Sequence, residues 1–402
     1  MTAGHFSDFA EAVAARQARP AAVTSSSYRR VTVLGGSVEA RMLAAIALAE
    51  SAEVTLFSAY GAEIDALRDA GGIALRDAGP LGVYQIDRED APSIRTTMEL
   101  DRAVAEAEVI FLTGPIHKQR TYAMVLADHM KDGQVLVIAP ARTFAALEAA
   151  WLLRVGGCTA DITIVEAMGL PFWCRAEGSR LQLSPAKPVA AATLPSGRPH
   201  VLEGLKPFLP SLQSTIGTLP ASFADGSGVV EVPALLLGGP LVGDGRPAVP
   251  MGGVPLPENE SFRNLIGEKH RTVIDDLARE RANVASAFGV RDLPTADDWI
   301  DRYAGAPKGH GSRPIPTAAE ATSLLRDGTI GSLVPLASAA RVAGQAVPVT
   351  DAMITLASSV LDADIASAGR KLETIGIGPG DVEDVRRSID RLVMPDPATG
   401  PA

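Results

Sequence analysis

The sequence predicts an α/β fold in which a parallel β-sheet is followed by an all-α second half. Short apolar runs alternate with helical stretches from Val31 to about residue 190, and this alternation is typical of a parallel sheet with right-handed crossovers. From residue 191 onward, long segments with helical periodicity dominate. A stretch rich in alanine, proline and glycine between Pro188 and Pro199 separates the two patterns.

The first unit of this alternation runs from Val31 to Ser58 and reads as strand, glycine turn, helix and strand. The apolar run VTVL ends at Gly35, an alanine-rich helix follows, and EVTLF forms a second buried strand. Residues 35–40 have the spacing G-x-G-x-x-G/A, in which backbone amides at a helix N-terminus hold a pyrophosphate. We therefore expect a Rossmann-type fold, with NAD or NADP as the cofactor.

Two positions of this motif depart from the usual pattern. Ser37 stands where a second glycine lets the backbone approach the pyrophosphate, and Ser58 stands where an acidic residue usually holds the ribose hydroxyls. The carboxylate of Glu39 would repel a pyrophosphate unless it turns outward or meets Arg41. These changes leave the choice between NAD and NADP open.

Further strands and helices continue the sheet. The segments DRAVAEAEVIFLTGP and KDGQVLVIAPAR each contain a buried strand, and ADITIVEAM and RLQLSP supply strands at the far side of the same sheet. Cofactor and substrate meet at the carboxyl ends of strands in doubly wound folds. The candidate cofactor-binding residues are therefore Gly35, Gly36, Ser37, Val38, Ser58, Gly114, Pro115 and Pro140.

The domain organisation follows from these patterns. We expect a flexible N-terminal extension over 1–28, a dinucleotide-binding domain over 29–190, and a helical domain for substrate binding and dimerisation over 191–402. A glycine- and proline-rich segment at 238–260 is typical of a lid or a dimer contact. The apolar face of VTDAMITLASSVL favours a homodimer, although the same face would also serve as core.

The composition narrows the class of protein. With 402 residues, of which 47% are hydrophobic and 21% are charged, the chain can form two packed domains. A formal charge of -10 disfavours nucleic acid or an anionic membrane as a partner, and no apolar run has membrane-spanning length. The two cysteines lack a CxxC pattern, and no histidine and carboxylate cluster has metal-ligand spacing. We therefore expect a cytoplasmic protein without a metal.

Five segments occur in a recognisable order. They are EVIFLTGPIHKQRTYA, KDGQVLVIAPARTFAALE, VEAMGLPFWCR, DDLARERANVASAFGV and SLVPLASAARVAGQAVPVTDAMITLASSVLDADIASAGRKLETIGI. Their order and spacing resemble the opine dehydrogenase family, which includes octopine and nopaline dehydrogenases and is related to 6-phosphogluconate dehydrogenase. The resemblance implies a Rossmann-type domain followed by an all-α domain, with the ligand cleft between them. It also implies that hydride from NADH or NADPH reduces a transient imine of an amino acid and a 2-oxo acid.

The catalytic residues of this family do not carry over unchanged. Aligned through FLPSLQSTIG, the position of the acid/base histidine falls on Glu231. Counting back from Ser332, the acidic partner falls on Gly328, with Asp327 one position earlier. The position of the arginine that holds the substrate carboxylate falls near Ser323, and two arginines, at 313 and 326, could reach this region. Three changed identities indicate a changed substrate or reaction.

Glu231, Asp327 and His270 are the candidate catalytic residues. Glu231 is the only charged residue in 228–242, so burial would disfavour its charged form and allow proton exchange near neutral pH. Alternatively it is a solvated glutamate before a helix whose first turn contains Pro233. Asp327 either orients a partner group or belongs to a turn in RDG. His270 either faces the cleft or lies on the solvated side of its helix.

Three positively charged or titratable residues are candidates for substrate binding. His117 follows the strand EVIFLTGP, Arg175 lies near the crossing between the domains, and Arg326 precedes Asp327. The prediction is an NAD(P)-dependent oxidoreductase that acts on a C–N or C–OH bond of a small polar substrate, with Glu231 as the acid/base. Two alternatives stay open on the same fold: a lyase, cyclase or hydrolase that uses Glu231, and a cofactor-binding protein without turnover.

Overall fold

The structure is a computed structural model that describes residues 28–238, 254, 256–257, 260–380, 382–383 and 385. Two sequence-based predictions fall mostly outside these residues. They are the N-terminal extension over 1–28 and the glycine- and proline-rich segment at 238–260.

The β-strands form two sheets in the described part of the chain. Runs such as VTVL and VIFL are buried throughout, as expected for the centre of a sheet that is covered on both faces. The strands are β1 (Arg30–Leu34), β2 (Glu53–Phe57), β3 (Gly72–Arg76), β4 (Gly82–Gln85), β5 (Ile94–Thr97), β6 (Val109–Leu112), β7 (Val135–Ile138), β8 (Thr163–Ala167), β9 (Phe172–Glu177), β10 (Arg180–Pro185), β11 (Val189–Leu194) and β12 (Leu212–Ser214).

The helices alternate with the strands in the first half and dominate the second half. Short 3-10 helices span Phe262–Leu265 and Glu373–Ile375, and a π-helical turn spans Thr329–Leu333. The α-helices are α1 (Val38–Ala49), α2 (Gly61–Ala70), α3 (Leu100–Val104), α4 (Ile116–Leu126), α5 (Ala145–Val155), α6 (Pro199–Leu205), α7 (Thr218–Phe223), α8 (Ser227–Leu236), α9 (Glu268–Ala287), α10 (Ala296–Ala304), α11 (Ala318–Gly328), α12 (Val334–Val342), α13 (Pro348–Leu361) and α14 (Ile365–Ala368).

The main sheet has eight strands in the order β12-β11-β8-β7-β6-β1-β2-β5. From β8 to β5 all neighbours are parallel, which confirms the predicted Rossmann-type sheet. Leu34 at the end of β1 pairs with Leu112 at the end of β6. The strand order reverses between these two strands, so the loops that follow them begin side by side at the switch point where ligands bind in such sheets.

The prediction that RLQLSP lies at the far side of the main sheet is wrong. This segment is β10, which belongs to a separate sheet in the order β4-β3-β10-β9. It pairs antiparallel with β9 across a short turn and parallel with β3 on its other side, so both of its edges are occupied. The far side of the main sheet is instead formed by β11 and β12. Because these strands extend the sheet to Ser214, we propose a domain boundary after that residue rather than at 190.

The second half packs helices around α8. Helices α9, α10, α11 and α13 all contact α8, whose residues from Ser227 to Leu235 are all buried. Helices α11 and α12 continue into each other through the π-helical turn, where the Val334 N–H donates to the Thr329 carbonyl. Pro335 follows directly and cannot donate a helical hydrogen bond, which favours a widened turn at this point. No described helix is long and apolar enough to cross a bilayer.

Candidate functional site

Two glycine turns open the cleft at the switch point. Gly35 after β1 has φ +112°, and Gly114 after β6 has φ +90°, a backbone region that favours glycine. The Gly35 N–H donates to the Phe57 carbonyl at 2.8 Å, which fixes the tight turn that the motif predicts. The Gln119 side-chain amide donates to the carbonyls of Gly114 (2.9 Å) and Pro140 (3.3 Å). It therefore ties together the loops that follow β6 and β7.

The side chain of Ser37 caps helix α1. Its Oγ accepts a hydrogen bond from the Ala40 N–H at 3.2 Å, so this hydroxyl satisfies a backbone group of the first helical turn. Val38 begins the helix. Burial and the Glu39 carboxylate raise the pKa of the Cys174 thiol to about 12, which places Glu39 near β9 of the small sheet.

A carboxylate from helix α2 reaches the end of β2. Ser58 is fully buried, and its hydroxyl donates to Oε2 of Glu63. The Tyr60 N–H donates to Ser58 Oγ at 3.1 Å. A Cβ atom added to Gly36 would lie 2.1 Å from the same Oε2, so the carboxylate of Glu63 lies directly over the loop that follows β1. Its other oxygen is 3.8 Å from the Lys118 ammonium.

Glu231 lies inside helix α8 and is 2% exposed. The alternative of a solvated glutamate before a helix is therefore wrong, because the helix begins at Ser227 and Pro233 lies in its interior. The premise of purely apolar surroundings is also wrong. Arg313 Nη1 is 2.7 Å from Glu231 Oε1, and Arg142 Nη2 is 3.6 Å from Oε2. The two guanidinium groups offset the penalty for burying this carboxylate.

Arg313 is held in place from several sides. Its guanidinium carbon is 4.6 Å from the ring centroids of both Trp173 and Phe262, and its Nη1 also donates to the Tyr303 carbonyl. Stacking against two rings and bonding to Glu231 fix its orientation. From the sequence, Arg313 is expected only as one of two arginines that could take the place of the family's carboxylate-binding arginine, and not as a partner of Glu231.

Asp327 lies near the end of helix α11 and is partly buried. The alternative of a turn in RDG is wrong, because all three residues are helical. Burial raises the pKa of Asp327 to about 6, against the opposing effects of Arg142 and of the backbone N–H of Ile116. Glu231 also contributes to this shift. The Asp327 carboxyl therefore lies at the amino end of helix α4, close to Arg142 and Glu231.

Close helix contacts bring these groups together. A Cβ on Gly331 would lie 2.2 Å from Ile116 Cδ1 and 2.9 Å from Arg142 Cβ, so the π-helical turn packs directly on the loops after β6 and β7. A Cβ on Gly328 would lie 3.0 Å from Val232 Cγ2. Gly328, the position of the family's acidic partner in the sequence comparison, is therefore a site of helix packing. A side chain at either position would push its neighbours apart, more so at Gly331 than at Gly328.

The predicted substrate-binding residues occupy different environments. Burial lowers the pKa of His117, as do its neighbours Lys118 and Arg326, so His117 and Arg326 lie near each other. Arg175 is exposed on β9 of the small sheet, whereas Trp173 two residues earlier contacts Arg313. Ser323 is exposed on α11.

His270 is buried in the first turn of helix α9. Its Nδ1 accepts a hydrogen bond from the Gly267 N–H at 3.3 Å, and burial lowers its pKa. These contacts give the imidazole a capping role at the start of the helix. A catalytic role for His270 stays a prediction.

A second buried network, which the sequence does not predict, lies near Arg142. Asp225 Oδ2 accepts hydrogen bonds from the N–H and the hydroxyl of Thr143, both at 3.0 Å. Although burial raises it, Arg142 and Arg281 hold the pKa of Asp225 below its ordinary value. Burial raises the pKa of Glu166 to about 7, although the Ser222 hydroxyl donates to it. Nothing in the local spacing of these residues indicates that they meet.

The site therefore combines backbone amides for an anion with a carboxyl that titrates near neutral pH. Arg142 links the loop after β7 to this carboxyl, because it lies beside both Glu231 and Asp327. Within the described residues, no group of three histidine, cysteine or acidic side chains could hold a metal ion.

The sequence is similar to that of curated proteins. An opine dehydrogenase of Arthrobacter sp. (strain 1C) is 24% identical over 341 residues, which cover 81% of this chain and 89% of the relative. The protein ocs of Agrobacterium tumefaciens (strain Ach5) is 22% identical over 337 residues, which cover 81% of this chain and 88% of the relative. No protein-family model matches the chain. The resemblance inferred from the sequence is thereby confirmed.

The fold is similar to that of solved structures. Octopine dehydrogenase with NADH and pyruvate superposes with a TM-score of 0.65 at 18% identity, over 89% of this chain and 98% of that one. D-mandelate dehydrogenase with NADH and anilino(oxo)acetate superposes with a TM-score of 0.60 at 11% identity, over 83% of this chain and 98% of that one. These likenesses confirm a Rossmann-type domain followed by a helical domain.

Proposed function

Because this chain is opine dehydrogenase-like in sequence and in fold, we propose that it is an NAD(H)-dependent oxidoreductase acting on a small polar substrate. It reduces the C=N bond of an imine to a secondary amine, or the C=O bond of a carbonyl to an alcohol. Octopine dehydrogenase structures of this fold contain NADH with pyruvate, agmatine or L-arginine. A 2-oxo acid and an amine are therefore the substrate classes to test first.

The position of Asp327 carries this proposal. Its carboxyl lies against the Ile116 N–H at the amino end of α4, directly after the loop that begins at Gly114. In doubly wound folds the reactive half of a dinucleotide meets the substrate at this edge of the sheet. A titratable carboxyl at this point is suited to exchange a proton with a bound substrate.

The residues at the switch point fit a dinucleotide. Gly35 and Gly114 adopt positive φ angles, and a Cβ on Gly114 would meet nothing within 4 Å, so the backbone there is open to a ligand. The N-terminus of α1 offers amides and a favourable dipole to a pyrophosphate. Bound NAD(H) supplies or accepts the hydride. The nucleotide would lie against Gly35, Gly36, Ser37, Val38, Gly114, Pro115 and Pro140.

Reduction of a C=N or C=O bond requires one proton besides the hydride. With a pKa of about 6, Asp327 is partly protonated near neutral pH, so it can donate a proton to the nitrogen or oxygen and recover it in the oxidative direction. Glu231, the sequence-based candidate for this role, is bound to two arginines. We therefore assign proton transfer to Asp327, and to Glu231 the positioning of Arg142.

The remaining charges favour an anionic substrate. Arg326 and His117 lie near each other. Burial lowers the pKa of the Arg142 guanidinium, but Glu231 and Asp225 together hold it above the ordinary value, so these two carboxylates already balance its charge. A guanidinium binds a carboxylate through paired hydrogen bonds. Arg326 is therefore the first candidate to hold the carboxylate of a 2-oxo acid.

Asp327→Asn tests the proposed mechanism. The rate of NADH oxidation with a 2-oxo acid and an amine should fall about 100-fold or more, while the Kd for NADH, measured by nicotinamide fluorescence, should change less than about twofold because the proposal assigns Asp327 to proton transfer and not to nucleotide binding. Asp351→Asn on α13 is a matched control, since burial also raises the pKa of this carboxyl. The control should keep the wild-type rate.

Other outcomes would contradict parts of the proposal. If Asp327→Asn keeps its rate and Glu231→Gln loses it, the proton carrier is Glu231. If NADH binds but no 2-oxo acid and amine pair is reduced, the protein binds the cofactor without this turnover. If neither NADH nor NADPH binds at millimolar concentration, the oxidoreductase proposal is wrong.

A further inference from the structure

We propose that Glu63 binds the adenosine ribose hydroxyls of the dinucleotide and makes this chain select NADH against NADPH. The inference rests on the proposed binding of a nicotinamide dinucleotide at the switch point. It assigns the role of the missing acid at the end of β2 to a side chain from the next helix, α2.

Ser58 orients the Glu63 carboxylate and does not itself bind the ribose. The serine is fully buried, so its own hydroxyl cannot reach a ligand. That hydroxyl donates to Glu63 Oε2, while the Tyr60 N–H donates to Ser58 Oγ at 3.1 Å. Both groups therefore hold the Glu63 side chain at the carboxyl end of β2, where the ribose of a dinucleotide is bound in this type of fold.

Gly36 shows that the carboxylate lies over the nucleotide loop. The motif G-x-G-x-x-G/A allows any residue at this position, yet a Cβ there would lie 2.1 Å from Glu63 Oε2 and 2.6 Å from its Cδ. A side chain at position 36 would therefore displace the Glu63 carboxylate from its place over the loop. The carboxylate lies between the loops after β1 and β2, which is the position of the ribose and not of the pyrophosphate at the start of α1.

The second carboxylate oxygen faces a region that a ligand can enter. Glu63 is 34% exposed, and the Lys118 ammonium is 3.8 Å from Oε1. Lys118 also lies 4.7 Å from the centroid of the Tyr60 ring. This long, partly exposed ion pair is weak, so a ribose hydroxyl can replace water or Lys118 at Oε1 without breaking the hydrogen bond from Ser58.

The charge of Glu63 explains the expected selectivity. Two vicinal hydroxyls can donate to a carboxylate, whereas a 2′-phosphate has no such donors and carries between one and two negative charges near pH 7. Repulsion between this phosphate and Glu63 would act over a few ångströms in a partly buried site. Lys118, 3.8 Å from Oε1, reduces the repulsion, but the other carboxylate oxygen, Oε2, still lies over Gly36.

Binding of NADH and NADPH to the purified full chain tests the inference without a turnover assay. Nicotinamide fluorescence and calorimetry give the two Kd values and their ratio. We expect the wild type to bind NADH about tenfold or more tightly than NADPH. Glu63→Gln should reduce this ratio to about threefold or less, because the charge is lost and the size is kept. Lys118→Met should increase the ratio, because the compensating charge is removed.

Glu39→Gln is the matched control. This carboxylate also lies within one turn of the nucleotide loop but faces Cys174, so its loss should change both Kd values together and leave the ratio unchanged. Circular dichroism of each variant checks that it keeps the wild-type fold. A ratio that changes only in Glu63→Gln and Lys118→Met supports the assignment.

The possible failures can be told apart. If the wild type binds NADH more tightly and Glu63→Gln keeps the wild-type ratio, Glu63 is not the selecting residue and the oxidoreductase proposal stands. If the wild type prefers NADPH, Lys118 dominates the subsite and the inference is wrong. If the wild type binds neither dinucleotide, both the inference and the proposed function are wrong.

Discussion

The two ends of the cleft are built in different ways. The loop end, defined as residues 35–40, consists of sequence neighbours whose contribution is backbone geometry: a positive φ and a capped helix start. The carboxylate cluster, defined as Arg142, Glu231, Arg313 and Asp327, gathers side chains from separate loops and helices. Local spacing therefore encodes the loop end, whereas only the tertiary fold encodes the cluster.

The two ends also differ in their electrostatics. Residues 36–39 of the loop end are partly exposed, so water and salt screen their charges. In the cluster Glu231, Arg142 and Arg313 are buried, and a buried charge that loses its partner is strongly destabilising. Substitutions in the cluster should therefore change the free energy of unfolding far more than substitutions in the loop end.

Arg313→Met should have the largest effect on stability. It removes the closest partner of Glu231 and the cation stacked on Trp173 and Phe262, so the free energy of unfolding should fall by about 3 to 5 kcal/mol. Denaturant unfolding followed by circular dichroism measures the change. Arg279→Met is the control, because its ion pair with Asp276 is at the surface, and it should cost less than about 1 kcal/mol.

The double variant Arg313→Met, Glu231→Met separates charge from packing. Without Glu231 no carboxylate is left without its closest partner, so much of the lost stability should return. If the double variant is as unstable as Arg313→Met alone, packing between Trp173 and Phe262 rather than the ion pair determines stability at this position, and the contrast between the two ends of the cleft is not electrostatic.

Asp327→Asn should change how stability depends on pH. Burial raises the folded-state pKa of Asp327 from an ordinary value of 3.8 to about 6. The contribution of the protonated Asp327 carboxyl to stability is therefore fully present below pH 3.8 and is lost as the pH rises through 6. Asn stays neutral at every pH. The free energy of unfolding of the variant should therefore rise by about 2 kcal/mol relative to that of the wild type between pH 4 and pH 8.

Denaturant unfolding at a series of pH values measures the difference in the free energy of unfolding between the variant and the wild type, here called the gap. Its change with pH is the informative quantity, because the hydrogen bond lost with the carboxylate is a constant offset. Asp276→Asn at the surface should give a gap that varies by less than about 0.5 kcal/mol. A flat gap for Asp327→Asn would mean that the carboxyl is solvated, and it would remove the basis for its assignment as the proton carrier.

Ser37 should show the smallest effects. Ser37→Ala removes the cap on the Ala40 N–H and should lower the free energy of unfolding by about 1 kcal/mol, whereas Ser37→Gly should lower it by only a few tenths. Ser359→Ala, which removes an exposed hydroxyl bonded to the Thr355 carbonyl, is the control. Equal losses for Ser37→Ala and Ser37→Gly would show that the cap does not hold this helix start.

The fold could be predicted because its signals are local and periodic. The strand VTVL, the turn at Gly35 and the alternation of strands with helices require only neighbouring residues. RLQLSP was assigned to the wrong sheet because a strand pattern states which residues are extended but not which strand they pair with. Its partners, β9 and β3, are decided by a turn and by a contact about a hundred residues away in sequence.

The site could be predicted only in part, for the same physical reason. Glu231 and Asp327 were found through family positions, but the electrostatics of Glu231 were misjudged because Arg142 and Arg313 are distant in sequence. A carboxyl group inside an apolar run does carry a usable signal, because once buried it must be paired with a cation, hydrogen-bonded or protonated. The sequence contains many arginines, and nothing local distinguishes the two that meet Glu231.

The π-helical turn at Thr329–Leu333 acts as a phase shift in the helix that carries Asp327. It is closed by the Val334 N–H and the Thr329 carbonyl and contains one residue more than an α-helical turn, so side chains on its two sides are rotated by about 100° relative to an uninterrupted helix. Deleting one residue there would turn Asp327 away from Arg142 while the segment SLVP stayed intact. The length of this helix, and not only its composition, therefore specifies which carboxyl meets the cluster.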